Sequence, residues 1–235
     1  MNAASATSRW ARLRSWVEGS QPLYVRVVDA NDGIVATAGL LEGFAGAGAG
    51  GSLLLLAATA ATIAGALSMG GATWAEGAAD RETRLTVAFE EAAQLSANPD
   101  DELAELTSYW ERKGLSPQTA ADVAQQLSAR DALAAQLESE HGIDELPSAF
   151  APVQDGIAAA LAFAIGALIP LLITVFAPGV LEAPAILLSV IVSLTITSFI
   201  ASRSGRLSFR RVLVRSLTVG VGTTVVGYGV GNLLF

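Results

Sequence analysis

The chain has 235 residues, 52% of them hydrophobic and only 15% charged, against roughly 25% charged in soluble domains. It contains no cysteine, so disulfides and thiolate metal sites are excluded, and a metal could be held only by oxygen, imidazole or thioether. The net charge of −8 is uneven: residues 74–148 carry 16 acidic and 5 basic side chains, a net of −11, and the remainder carries +3, which argues against nucleic acid and for cations.

In chain order, residues 1–21 form the first segment. Trp10, Leu13, Trp16 and Val17 share a face at helical spacing over 5–20, with Arg9, Arg12 and Arg14 supplying positive charge. This predicts an amphipathic helix in the headgroup plane; a disordered tail is the alternative. The arginines are not followed by a short apolar core and a small-residue cleavage site, so no signal peptide is read.

Residues 22–75 predict the first two transmembrane helices. The first runs from about Leu23 to Ala45 and carries Asp29, Asp32 and Glu42. A carboxylate at mid-bilayer depth costs at least ~2.5–3.5 kcal/mol. Either Asp29 sits at the interface and Asp32 caps or pairs locally, or Asp32 faces a polar path and handles a cation or proton. The run Gly46 to Gly51 lacks the following Lys-Ser/Thr and preceding strand of a phosphate loop and reads as a turn. The second helix starts near Ser52, passes Met69, and continues without a break to about Leu95.

Residues 76–148 predict an acidic helical domain. Asn98-Pro99 stops the long helix and starts the next, with Asn98 as N-cap and Pro99 at the first helical position. That helix runs to about Lys113, ended by Gly114. Ser116-Pro117 opens a third helix to about Glu140, ended by Gly142, with Val123, Leu127, Ala134 and Leu137 as its apolar stripe. Residues 149–235 predict three more spans: about Val153 to Phe176 with a kink at Pro170, about Ala185 to Ala201, and a last one reaching the C-terminus. The fold class is therefore an all-α membrane protein of five transmembrane helices, with a three-helix domain inserted between spans two and three. Arginine clusters at the N-terminus and at Arg203, Arg206, Arg210, Arg211 and Arg215 place the N-terminus, the acidic domain and the last loop in the cytoplasm by the positive-inside rule.

Three features point to divalent metal. Asp32 offers a hard oxygen ligand within the bilayer. Met69 offers a thioether, suited to transition metals rather than Ca²⁺ or Mg²⁺, although a lone Met also suits lipid or packing contact. In the acidic domain, Glu102 and Glu105 are spaced i, i+3 and share a helix face, beside an apolar face of Leu103, Leu106 and Trp110. A hairpin about Asn98-Pro99 would bring Glu91 towards them, and Glu138, Glu140 and His141 end the third helix. Clustered carboxylates bind hard or borderline cations; solvated surface charge is the competing reading for each.

Ala30 to Leu40 (ANDGIVATAGL), followed by Ala64 to Gly71 (AGALSMGG), resembles the vacuolar iron transporter family, in particular its bacterial-type members. NPDDELAEL, ERKGLSPQTAADVAQQLSARDALAAQLESEHGI and LAFAIGALIPLL extend the resemblance from about residue 20 to the end. It implies a five-span homodimer in the lipid bilayer with a cytoplasmic metal-binding domain. It also implies proton-coupled export of Fe²⁺, often also Mn²⁺, as substrate, with protons as coupling ion and no cofactor. Asp32 and Met69 match the family's intramembrane path, and Glu91, Glu102, Glu105 and Glu140 match its acidic domain positions. Gln94, Thr73 and Gln136 stand where the family commonly has Glu, Glu and His, and Asp29 where it has Gly; His141 and Glu138 are the compensating ligands this sequence offers. A multi-pass protein of the cell (inner) membrane is expected, and not an enzyme. The alternative is a metal-sensing or regulatory membrane protein of the same fold with little or no transport.

Overall fold

The computed structural model describes residues 21–177 and 181–234, which are built from seven α-helices: α1 Leu23–Gly46, α2 Gly51–Ala97, α3 Pro99–Arg112, α4 Pro117–His141, α5 Ala151–Phe176, α6 Glu182–Ser204 and α7 Phe209–Leu234. The helix expected over residues 5–20 lies outside the described residues. The chain divides into two compact units, one of residues up to Ala75 and from Phe150 onward, the other Glu76–Ala149.

In the first unit α1 is the central element and packs against α5, α6 and α7. Its Ile34, Ala38 and Leu41 are fully buried with Leu54 and Ala58 of α2 and Ile186, Val190 and Leu194 of α6. Small residues let the backbones touch. A methyl group on Gly166 would overlap the carbonyl of Ala30, and one on Gly33 that of Phe163, so α1 and α5 meet main chain to main chain. Gly231 meets the carbonyl of Gly43, and Gly46 that of Tyr228, so α1 meets α7 in the same way. This is how helices associate where lipid removes the hydrophobic drive between them.

Among the described residues four helices are long and apolar enough to cross a membrane: α2, α5, α6 over Ala183–Ser204, and α7. Their outward faces carry large apolar side chains, such as Leu56, Leu67, Leu188 and Val226, which suits hydrocarbon contact. The chain is thus an all-α, multi-pass membrane protein. With 24 residues α1 has the length of a span, but Arg26, Asp29, Asp32 and Glu42 lower its apolar character. The expected kink residue Pro170 lies inside α5, which remains one helix through it.

In the second unit, Pro99 opens α3 and Asp100, Asp101 and Glu102 occupy its first turn, where negative charge complements the helix dipole. Asn98 sits at the N-cap but its side chain makes no capping hydrogen bond, so proline and the acidic turn define this start. Ser116 does cap α4, its Oγ accepting from the Thr119 N–H at 3.3 Å. Gly114 (φ 102°) and Gly142 (φ 63°) end α3 and α4 in left-handed conformations, which glycine adopts without strain.

The helix expected from Ser116-Pro117 to about Glu140 is two helical segments. Asp131 has φ −163° and ψ 94°, outside the helical region. Its Oδ1 accepts from the Ala134 N–H at 3.0 Å, the bond an N-cap aspartate makes, so it restarts the helix. The restart changes the phase of the apolar stripe: Ala135, Gln136 and Leu137 are buried, whereas Ala134, expected to be inward, is exposed.

Candidate metal centre

Two small cores hold the second unit's acidic residues in place. Leu106 of α3 packs with Ala124 and Ala135 of α4, flanked by Leu103, Trp110 and Leu127. Ala88 of α2 packs with Leu137 and Ile143. Glu91 lies three residues beyond Ala88, and Glu140 and His141 follow Leu137 by one helical turn, so these contacts bring the acidic ends together.

The result is two groups of three ligands that share Glu140. One ligand atom from each of Glu91, Glu140 and His141 lies within 4.8 Å of the others, and so do those of Glu102, Glu105 and Glu140. Oxygens on opposite sides of an octahedral ion are roughly 4.2 Å apart, twice a bond of ~2.1 Å, so modest contraction would close either group on a cation. His141 Nε2 is 3.4 Å from Glu91 Oε2. Glu91 is 1% exposed, and its Oε1 is buried without a hydrogen-bond partner. A buried carboxylate oxygen without a donor is costly, and an ion would satisfy it.

Glu102 is buried as well. Gln136 Nε2 donates to its main-chain oxygen at 2.6 Å and to its Oε2 at 3.0 Å. Gln136 therefore orients a carboxylate, which sequence reasoning had not assigned to it. Burial pushes the Glu102 carboxyl above its ordinary range, and Glu91 and Glu105 beside it push the same way, against the Gln136 hydrogen bond. Glu140 is pushed up to about 7 by burial, then by its hydrogen bond with Glu105 and by the charges of Glu91, Glu105 and Glu102. Mutual repulsion in an empty acidic cluster favours protons, and a divalent cation would displace them. Together the two groups offer four carboxylates and one imidazole, a hard-to-borderline donor set of the kind that suits first-row divalent metals. Glu138 is exposed and belongs to neither group, and Gln94 is exposed at the end of α2.

In the membrane unit, Asp32 lines a 490 Å³ cleft between α1, α6 and α7 together with Asn31, Arg215 and Ser216. Met69 is half-buried on α2 and is not among the residues lining that cleft. The cleft thus sets Asp32 beside Asn31, Arg215 and Ser216, and Met69 is not part of its wall. Asp29 instead joins a network the sequence did not reveal. Arg26 Nη1 donates to Asp29 Oδ2 at 3.1 Å, and Nη2 to Asp155 Oδ1 at 2.5 Å. All three residues are buried, at 4%, 8% and 6% exposure. The available signal was Asp155 itself, the one acid at the head of an otherwise apolar span.

A multi-pass helical body carrying a helical unit of clustered carboxylates has the build of a membrane transport protein. Residues 25–232 match the VIT family. The chain is 31% identical over 206 residues to a "Vacuolar iron transporter" from Acanthamoeba castellanii, covering 83% of this chain and 76% of that protein. Two proteins of Oryza sativa subsp. japonica are also similar: "Vacuolar iron transporter 1" at 30% identity, covering 88% and 82%, and "Vacuolar iron transporter 2" at 27%, covering 83% and 79%. The chain belongs to the VIT family, whose members are transporters rather than enzymes.

Proposed function

We propose that this protein exports divalent transition metal, Fe²⁺ and also Mn²⁺, from the cytoplasm in exchange for protons. The observation that carries the reading is the pair of ligand groups sharing Glu140, with the Glu91 oxygen buried and unpartnered, in a chain whose relatives are named iron transporters. Glu91, Glu102, Glu105, Glu140 and His141 collect the ion, and Asp32 and Met69 carry it through the bilayer. Asp32 can hold either a metal ion or a proton, which is what exchange requires.

In this reading α1 is the fifth span, supported by its 24-residue length and its place against α5, α6 and α7. The arginines around the α6–α7 junction, Arg203, Arg206, Arg210, Arg211 and Arg215, support a cytoplasmic position for residues 76–148 and an external C-terminus, in the cell membrane. Asp32 is exposed and Met69 half-exposed on a single chain, which leaves both open to meet across a homodimer. The test is Fe²⁺ flux into proteoliposomes with and without a pH gradient. Uptake driven by the gradient in the intact protein and abolished in Asp32→Asn supports the proposal. Full exchange by Asp32→Asn would show that Asp32 is structural.

A further inference from the structure

The α6–α7 junction concentrates positive charge. Arg203 lies in the last turn of α6, Arg206 in the connecting turn, and Arg210, Arg211 and Arg215 on α7. All five are exposed, and no acidic residue occurs from Ala183 to Phe235. Among the described residues none of the five pairs with a carboxylate. Positive charge alone serves topology, but its surroundings here are more specific. The Arg203 guanidinium lies over the Phe199 ring, 5.1 Å from its centroid, and Phe199 meets Phe209 of α7 edge to face at 6.3 Å. An aromatic pair thus joins the two helix ends and carries Arg203. Leu188, Val192, Ile196 and Phe199 are all exposed, and with Arg203 they follow one another at three or four residues, on one face of α6. Leu188 to Phe199 is about 16 Å of helix at ~1.5 Å per residue, close to the ~15 Å of one leaflet, half of a ~30 Å hydrocarbon core. An outward apolar track one leaflet deep therefore ends in a guanidinium. The turn beyond it closes with the Leu207 N–H bonding the Ser202 carbonyl at 3.2 Å. In that closure glycine usually takes the left-handed position, whereas here Arg206 does, at φ 51°.

We propose that this face binds one anionic phospholipid of the surrounding bilayer, its phosphate held by Arg203, Arg206 and Arg210 and an acyl chain lying along Phe199, Ile196, Val192 and Leu188. The guanidinium fork matches phosphate oxygens two at a time, and basic residues at the end of a span attract anionic headgroups. Arg211 and Arg215 add to the field that draws the headgroup in. The chemistry selects among anions and among lipids. A zwitterionic lipid has the same phosphate, but its ammonium group would enter a cluster of five arginines. Free phosphate supplies the charge and nothing for the apolar track. A lipid with a net negative headgroup answers both features at once.

The test uses purified full-length protein in detergent, to which phosphatidylglycerol or phosphatidylcholine with the same acyl chains is added, and native mass spectrometry counts the bound lipid. Phosphatidylglycerol is expected to bind at least tenfold more tightly than phosphatidylcholine. Arg203→Gln with Arg206→Gln and Arg210→Gln, all at exposed positions, should abolish that preference, with the size-exclusion profile and Fe²⁺ binding by the acidic unit unchanged. Arg203→Gln alone, the milder change, should weaken phosphatidylglycerol binding several-fold, and so decides the matter if the triple variant does not fold. Phe199→Ala should weaken it too, through loss of the ring that carries Arg203 and lines the track. Equal binding of the two lipids, or a preference that survives the arginine substitutions, overturns the proposal and leaves these arginines with orientation alone. Complete displacement of the lipid by inorganic phosphate also overturns it, and assigns the patch to a free anion.

Discussion

Arg26→Leu tests whether the buried charge network holds α1 to α5. The guanidinium is 4% exposed and bridges two carboxylates that are 8% and 6% exposed. Removing one partner of a buried ion pair costs about 3–5 kcal/mol, because the other charge is left without compensation. Here two carboxylates on adjoining helices, Asp29 and Asp155, would lose their guanidinium, so a cost within that range is expected, a shift on the order of a thousandfold in the folding equilibrium. Replacing the whole network should behave differently. Arg26→Leu with Asp29→Ala and Asp155→Ala leaves no orphan charge, and such replacements are often neutral or stabilising. Purified full-length variants would be heated in detergent and the remaining dispersed fraction followed by size-exclusion chromatography. The single variant should lose its transition at markedly lower temperature, and the triple variant should recover it. A single variant as stable as the unsubstituted protein would refute the reasoning, since it would mean the network is hydrated and contributes nothing.

Three further outcomes are expected. Without metal, the acidic unit should lose stability as pH rises from about 4.5 to about 7, because folded Glu140 holds its proton up to about 7 against an ordinary 4.5, and the folded state then binds more protons than the unfolded one; amide exchange of α3 and α4 in the full-length protein would show protection falling across that window, and rising protection would contradict it. Glu102→Ala with Glu105→Ala should remove most Fe²⁺ binding measured by titration of the full-length protein, and an unchanged isotherm would mark these groups as surface charge. Gln136→Leu should weaken the same binding several-fold, as expected when a residue that orients a ligand is lost, while His141→Ala should shift preference away from borderline metals towards Mn²⁺; a competition titration reads both.

Much of the helical layout was legible because its punctuation is local. Proline at residues 99 and 117 and glycine at 114 and 142 fix helix ends through backbone geometry alone, and the breaks fall there. The hairpin reasoning that drew Glu91 towards Glu102 and Glu105 needed only one turn and two helical periods. The break at Asp131 was not legible, since an aspartate on a helical pattern reads equally as a surface charge, and only the Ala134 N–H it accepts from tells them apart. The Arg26–Asp155 contact was hidden for another reason. It joins residues 129 positions apart, and hydropathy marks spans without saying which of them touch. The role of Gln136 was obscured by a comparison of residue types, in which an amide in place of an imidazole reads as a lost ligand, whereas burial makes it the donor that holds one.

The main-chain contacts of α1 also determine which changes this sequence can absorb. At Gly33 and Gly46 on α1, and at Gly166 and Gly231 on its neighbours, the next atom outward is a carbonyl oxygen of another helix. Such positions admit hydrogen and nothing larger unless a whole helix retreats. Ala36, on the same helix, is exposed and can take almost any apolar side chain. A saturation library of α1 would therefore show strict and permissive positions alternating around the helix with its own period, the strictest at residues that carry no chemistry at all.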